Sequence, residues 1–140
     1  KIKKHVPEIY PNRILGIDKN KFLKKFHEEN FSEFENISFK YKDFFALSLA
    51  DLPEGRRHLV CNLPYGKRIK THTNINDFYK KFIRHSFLRL EVSSLSILIP
   101  HSNAIALKLT PELTFSNGGI LVSWCYMDAS FYTNTGSMWD

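Results

Sequence analysis

The feature that most constrains the fold of this chain is the alternation of short apolar segments with longer amphipathic ones. Short apolar runs bounded by turn residues are typical of buried strands, and apolar residues spaced three or four apart are typical of helices. We predict the order β-α-β-β-α-β-α followed by a β-hairpin, over residues 13–18, 19–30, 37–41, 58–62, 76–90, 95–99, 102–109 and 113–126. This order indicates an α/β fold with a mainly parallel sheet, helices on both faces and an antiparallel hairpin at one edge.

Residues with capping and turn chemistry mark the ends of several of these elements. Asp18 can cap the first helix and Asn30 can end it, and Asn74 or Asn76 can cap the second. The segment 116–119, Ser-Asn-Gly-Gly, is the strongest local signal, because Asn-Gly and Gly-Gly favour the tight turns of hairpins.

Length and composition indicate one globular domain. The chain has 140 residues, of which 43% are hydrophobic and 24% charged, an ordinary balance for a folded domain. We expect a core over residues 13–127 and a polar, loop-like tail over 128–140. Cys61 and Cys125 are too few for a disulfide framework, which favours a reducing compartment such as the cytoplasm or the nucleus. No apolar run approaches the roughly 18 residues of a membrane span, so we expect no membrane partner.

The positive charge of the chain points to polyanionic partners. Lys and Arg number 20 against 14 Asp and Glu, which gives a formal net charge of +6. This balance favours contacts with nucleic-acid phosphates. Aromatic residues, 14% of the chain, can stack on bases, although core packing explains most of the 12 phenylalanines more simply. Charge therefore ranks nucleic acid modestly above small molecules.

Several other chemistries lack their sequence signals. The six histidines are scattered without metal-ligand spacing, so we predict no metal site, although His72 and His101 fall near the expected ligand edge of the sheet. No serine lies in a Gly-x-Ser-x-Gly context, and no P-loop is present. Hydrolase and nucleoside-triphosphatase functions are therefore disfavoured.

Three polar residues follow or end predicted strands: Asp18, Asp43 and Asn62. In open α/β sheets, ligands bind beyond the carboxyl ends of the strands, where a carboxylate can bind both hydroxyls of a ribose. Each residue also has a purely structural interpretation. Asp18 could simply cap a helix, and Asp43 could simply terminate a strand in a turn.

The segment that begins at Asn62 carries the sharpest chemical signal. Pro64 ends the strand and forces Leu63 into an extended conformation, which can aim the Leu63 carbonyl into the same pocket as the Asn62 amide. Two acceptors that converge on one point suit an exocyclic amino group, because they hold its hydrogens and leave its lone pair free. A strand-to-loop turn with Asn and Pro as ordinary turn residues is the alternative.

The next four residues extend this interpretation toward a nucleotide. Tyr65 offers a flat face on which a flipped base can stack. Gly66 lets a bulky ring approach the backbone, and Lys67 and Arg68 can bind a phosphate near that base.

Residues 62–66, Asn-Leu-Pro-Tyr-Gly, resemble the [D/N]-[P/L/M]-P-[Y/F]-G motif of S-adenosylmethionine (SAM)-dependent amino-methyltransferases. The basic residues 67–68 continue it as in the THUMP-associated, or UPF0020-type, RNA guanosine-N2 methyltransferase family. Gly16-Ile17-Asp18 is similar to the family's G-x-D, Asp43 stands where the family has an acid near the adenine, and residues 115–120 resemble its N-G-[G/A]-[L/I] hairpin.

The resemblance implies a Rossmann-like catalytic domain that uses SAM as cofactor. It assigns Asn62, Leu63, Pro64 and Tyr65 to catalysis, and Asp18, Asp43 and Asn62 to cofactor binding. Two departures stand out: Leu63 replaces the commoner proline, and the family's first strand and glycine-rich cofactor loop are missing. We therefore expect part of a longer methyltransferase, with an RNA-binding domain in the missing N-terminal part or in a partner subunit.

The function implied by the resemblance is methylation of guanosine N2 in tRNA or rRNA, with tRNA as the first choice of partner. Two alternatives remain open from the sequence. The same pocket suits the amine of adenine in DNA, and a chain without its cofactor loop could be a non-catalytic RNA-binding or scaffold protein.

Overall fold

The computed structural model describes residues 13–65 and 74–135, and its elements follow the predicted order. The strands are β1 (Ile14–Asp18), β2 (Ile37–Tyr41), β3 (His58–Asn62), β4 (Ser94–Pro100), β5 (Pro111–Asn117) and β6 (Ile120–Asp128). The helices are α1 (Leu23–Phe31), α2 (Ile75–Leu88), α3 (His101–Ala106) and α4 (Ala129–Thr135). The chain divides into two compact units, Lys1–Pro53 and Glu54–Asp140.

The first unit contains a parallel pair of strands with an aromatic cluster beside it. β1 pairs with β2 so that Gly16 lies opposite Phe39 and Asp18 opposite Tyr41. The His27 ring of α1 stacks on Phe39, with 3.9 Å between ring centroids, and its Nδ1 is hydrogen-bonded to the Tyr41 hydroxyl at 2.8 Å. These contacts fix α1 against the two strands.

Gly16 leaves the space that the Phe39 ring occupies. A Cβ atom at residue 16 would lie 2.5 Å from Phe39 Cδ1, well inside van der Waals contact. The ring is also stacked on His27, so moving it disturbs that stack. We expect Gly16→Ala to lower the free energy of unfolding by about 1–3 kcal/mol in urea titrations, the usual cost of overpacking. In a Phe39→Leu background the same change should cost less; an equal cost in both backgrounds would contradict the steric explanation.

The second unit is built on a four-stranded sheet in the order β3-β4-β6-β5. β3 and β4 are parallel, whereas β6 is antiparallel to both of its neighbours, β4 and β5. The predicted α/β class with a closing antiparallel hairpin is confirmed. Gly118 and Gly119 form the two-residue turn with φ of +58° and +83°, left-handed values that favour glycine at both positions.

The sheet of the second unit is buried on one face. Buried side chains of the sheet and of α2 form this core: Leu95, Ile97, Ile99, Cys125, Met127, Tyr79, Phe82, Ile83 and Phe87. The other face keeps Val60, Leu113, Trp124 and Tyr126 exposed. Within the described part of this unit, no helix covers these four side chains, although Val122 on the same face is buried. A two-residue turn joins β5 to β6, so that connection supplies no helix to cover the second face.

Two details of the first helix differ from the sequence prediction. α1 begins at Leu23, so Asp18 does not cap it; the Asp18 carboxylate instead accepts a hydrogen bond from the Asn20 amide at 2.7 Å. Asn30 does not end the helix either, because it lies inside α1, and its side chain donates to the Phe26 carbonyl. By contrast, Asn74 caps α2 as predicted, by accepting from the Asn76 amide.

The prediction of a loop-like tail after residue 127 is also wrong, because residues 129–135 form α4. The Asp128 carboxylate accepts hydrogen bonds from the Ser130 hydroxyl at 2.6 Å and from the Phe131 amide at 3.0 Å. A side-chain acceptor of this kind satisfies the free amides of a first helical turn. The Tyr132 ring stacks on Phe87 of α2, so the helix also gains a tertiary contact.

Neither a membrane span nor a metal cluster is found in the described ranges. Among residues 13–65 and 74–135, no helix is both long enough and apolar enough to cross a bilayer. The same ranges contain no group of three or more His, Cys, Asp or Glu side chains arranged to hold a metal ion.

Candidate active site

The end of β3 holds Asn62 and Leu63 in opposite environments. Asn62 lies opposite Leu98 of β4 in the parallel ladder, and its side chain is exposed. The Leu63 side chain is only 3% exposed, and its N–H donates to the Leu98 carbonyl at 3.2 Å. The buried Leu63 side chain thus anchors the segment, and the adjacent amide faces solvent, where a ligand can reach it.

Tyr65 orients the Asn62 amide. Its hydroxyl donates to Asn62 Oδ1 at 3.2 Å, and its ring is half-buried. An amide oxygen has two lone pairs, so Asn62 Oδ1 can accept from Tyr65 and from a ligand amine together. The bond between these side chains was not predicted from the sequence, which assigned Tyr65 only a stacking surface.

Tyr79 of α2 fixes the backbone of the segment that follows Asn62. This residue is fully buried, and its hydroxyl donates to the Pro64 carbonyl at 2.9 Å. Burial, followed by the neighbouring Tyr65, raises the pKa of Tyr79 to about 12, so the hydroxyl keeps its proton at neutral pH. Sequence analysis placed Tyr79 only in the apolar spacing of the helix. The signal was available, because a buried tyrosine hydroxyl usually needs a partner.

Asp18 and Asp43 both lie at the carboxyl edge of the β1–β2 pair in the first unit. Asp18 ends β1 opposite Tyr41, and Asp43 follows Tyr41 by two residues. One oxygen of each carboxylate accepts a backbone amide, Asn20 N at 2.7 Å and Phe45 N at 2.9 Å. The second oxygen of each receives no hydrogen bond from the described residues. Both carboxylates are therefore held in place with an acceptor available.

Asp43 has the turn role that was one of its two interpretations from the sequence. Its side chain caps the 3₁₀ turn Phe44–Ala46, a local role that is compatible with a ligand on the other oxygen.

A third acid of the first unit, Asp51, is committed to ion pairs. Its carboxylate lies 2.8 Å from Lys42 Nζ and 3.2 Å from Lys40 Nζ, and it accepts the Ser48 amide at 3.0 Å. The Lys42 hydrogen bond, then the Ser48 amide and Lys40, hold the pKa of Asp51 well below its ordinary value. These contacts tie the segment after β2 to the strand itself, so Asp51 is structural rather than a ligand group.

His101, which the sequence placed near the ligand edge, anchors α3 to the sheet. Its Nδ1 is hydrogen-bonded at 2.8 Å to the hydroxyl of Ser123, a fully buried residue of β6. The Ser123 hydroxyl is also hydrogen-bonded to Thr114 of β5 at 3.0 Å. The predicted nucleic-acid contacts Gly66, Lys67 and Arg68, and His72, lie outside the described residues.

Both cysteines lie in the second unit and are protonated thiols at neutral pH. Burial raises the pKa of Cys61, directly before Asn62, to about 11. Burial, followed by the Glu112 charge, raises the pKa of Cys125 to about 11 as well. No disulfide joins them.

Comparison with known proteins identifies the domain. The model of the family described as "UPF0020: RMKL-like, methyltransferase domain" matches residues 1–114. The chain belongs to this methyltransferase family. The predicted resemblance to UPF0020-type methyltransferases is thereby confirmed, whereas the THUMP-associated guanosine-N2 specificity stays a prediction.

A solved structure supports the fold of this methyltransferase domain independently. SMU.472, a protein assigned as a methyltransferase and crystallised with S-adenosylhomocysteine (SAH), superposes with a TM-score of 0.60 at 17% identity. The match covers 82% of this chain and 31% of SMU.472, so the chain spans less than a third of that protein's length. No curated protein matches the chain significantly.

Proposed function

We propose that this domain methylates the exocyclic amine of a base in RNA, with N2 of guanosine in tRNA as the first target. The observation that carries the proposal is the end of β3. There an exposed Asn62 amide stands beside the Leu63 carbonyl, with both peptides fixed by Leu98 and Tyr79. Membership of a methyltransferase family makes methyl transfer the reaction that this acceptor pair would serve.

The cofactor of the proposed reaction is SAM, which supplies an electrophilic methyl group when bound. The residues present fit its hydroxyl-bearing ribose, because Asp18 and Asp43 each keep one carboxylate oxygen available at the same strand edge. Carboxylates at such edges accept the hydroxyls of a ribose. SMU.472 was crystallised with SAH, the product that SAM leaves after methyl transfer.

The contribution of the chain to catalysis is positioning. Asn62 Oδ1 and the Leu63 carbonyl would each accept one hydrogen of the substrate amine, which leaves its lone pair free to form the new N–C bond while the methyl–sulfur bond of SAM breaks and SAH leaves. The amine proton that is lost passes to water, and no side chain is needed as a strong base. Holding two reactants in this geometry can supply several kcal/mol of the barrier, so a rigid acceptor pair suffices.

The preference for RNA rests on charge and on the aromatic face of Tyr65. The net charge of +6 favours a polyanion, and a flipped base can stack on the half-buried Tyr65 ring. RNA binding would draw on further domains of the complete protein or on a partner subunit.

The test is a methylation assay with radiolabelled SAM and the complete natural protein that carries this chain. Substrates are unmodified tRNA, rRNA fragments and duplex DNA, and the product nucleosides are identified by mass spectrometry. We expect N2-methylguanosine in tRNA. N6-methyladenine in DNA would establish the alternative target. SAM binding without transfer to any substrate, or no SAM binding at all, would support a non-catalytic scaffold and refute the proposal.

A pair of variants at one residue tests the stacking role in the same assay. Tyr65→Phe keeps the ring but loses the hydrogen bond to Asn62 Oδ1, and it should lower the methylation rate only a few-fold, the usual net value of one such bond. Tyr65→Ala also loses the ring, and it should weaken RNA affinity by about 1–3 kcal/mol, the usual value of stacking on one base. Equal RNA affinities of the Tyr65→Phe and Tyr65→Ala variants would argue against stacking.

A further inference from the structure

The hydrogen-bond ladder between β3 and β4 stops beside the proposed acceptor pair. In a parallel ladder, a residue donates its N–H to the residue before its partner and accepts at its C=O from the residue after its partner. Leu98, the partner of Asn62, follows this pattern by accepting from Leu63 N–H at 3.2 Å. The next rung would therefore join the N–H of residue 100 to the Leu63 carbonyl.

Residue 100 is a proline, and proline has no N–H to donate. Pro100 is the last residue of β4, where it is paired with Val122 of β6, and the pairing of β4 with β3 ends two residues earlier, at Leu98. A proline at this position cannot donate the hydrogen bond with which the β3–β4 ladder would continue. If the ladder continued past Asn62, that bond would go to the Leu63 carbonyl, and no other described residue donates to that oxygen.

The next carbonyl along the chain, that of Pro64, does have a hydrogen-bond donor. The Pro64 carbonyl accepts from the buried Tyr79 hydroxyl at 2.9 Å. Of two successive carbonyls at the end of β3, the described groups of the protein therefore bind the second and leave the first without a donor. The peptide between them is fixed by Leu63 N–H on one side and by Tyr79 on the other.

We propose that Pro100 is a positioning residue that keeps the Leu63 carbonyl free to accept a hydrogen of the substrate amine. The inference rests on the proposed function of the Asn62–Leu63 pair and extends it to a residue of the neighbouring strand. An N–H at residue 100 would compete with the substrate for this oxygen.

A matched pair of substitutions isolates the missing N–H. Pro100→Ala restores a backbone donor, whereas Pro100→lactic acid, introduced as an ester, has the same methyl side chain and no donor. Both lose the proline ring. In the complete protein, we expect Pro100→Ala to lower kcat/KM for the RNA substrate by about 3- to 10-fold, the value of one competing hydrogen bond. The ester should retain the wild-type value, and SAM affinity should be unchanged in both.

Hydrogen exchange gives a readout that does not depend on turnover. In the Pro100→Ala variant, the new backbone amide at residue 100 should be protected if it bonds to the Leu63 carbonyl. The 13C resonance of that carbonyl should shift in the alanine variant but not in the ester. Equal losses in the two variants would mean that the ring matters rather than the N–H, and would overturn the inference. An unprotected amide at residue 100 or unchanged kcat/KM in the alanine variant would also overturn it.

The Asn62→Ala variant separates this failure from a failure of the proposed function. If Asn62→Ala abolishes methylation while Pro100→Ala has no effect, only the role of Pro100 is wrong. If Asn62→Ala leaves methylation intact, the acceptor pair itself is wrong, and the role of Pro100 falls with it.

Discussion

Replacing Asn62 by alanine should reduce methylation by the complete protein about 100- to 1000-fold, the usual cost of removing one preorganised polar contact to a reacting group. The side chain is exposed at the end of β3 and supplies one of two proposed acceptors for the substrate amine. Its only hydrogen bond among the described residues is the one accepted from Tyr65. The fold should therefore tolerate the change, and the melting temperature should stay close to the wild-type value.

Two measurements make this result specific. Although the resemblance also assigns Asn62 to cofactor binding, SAM affinity, measured by calorimetry, should change little, because the ribose contacts are assigned to Asp18 and Asp43. Asn62→Asp keeps an acceptor oxygen at the same place and should retain much more activity than Asn62→Ala. Unchanged turnover in Asn62→Ala would refute the catalytic role of the residue.

The largest expected effect on stability comes from Ile83 in the core of the second unit. Its side chain is fully buried on α2. Ile83→Ala removes buried methyl and methylene groups and leaves a cavity, which costs about 2–5 kcal/mol in comparable cores. Chemical denaturation monitored by circular dichroism should show this loss as a lower transition midpoint.

Leu88 provides the matched control for Ile83, because it lies on the same helix and is 58% exposed. Leu88→Ala changes helix propensity little and leaves no buried cavity, so its effect should stay within about 0.5 kcal/mol. Comparable destabilisation by the two variants would show that α2 does not pack in the way described.

The order and type of the elements could be predicted from the sequence because each carries a strong local signal. β2 and β3 were placed at their observed bounds, and the hairpin turn followed from Gly118 and Gly119. The errors arose where tertiary contacts or side-chain caps determine where a helix begins or whether it forms. The Asp18 carboxylate accepts from the Asn20 amide instead of capping α1. Asp128 caps the start of α4, a helix whose polar composition is typical of a loop.

The candidate site shows the same division. Asn62, Leu63, Pro64 and Tyr65 can be proposed from their spacing after a strand, because that pattern is local, and their catalytic role stays a prediction. For Tyr79, the sequence indicates that a buried hydroxyl needs a partner but not which one, because its contact with Pro64 joins residues 15 positions apart. The ion pairs of Asp51 were missed for a similar reason, since both lysines belong to or follow a neighbouring strand.

The thiol of Cys61 has a consequence for the chemoselectivity of the proposed reaction. Thiolates are softer and faster nucleophiles toward sulfonium methyl groups than aromatic amines, and Cys61 directly precedes Asn62 in β3, with its side chain on the opposite face of the strand. Because burial raises the pKa of Cys61 to about 11, the group is held as a thiol at pH 7. Under the proposed function, desolvation of this one side chain would make the thiol a poor competitor for the methyl group.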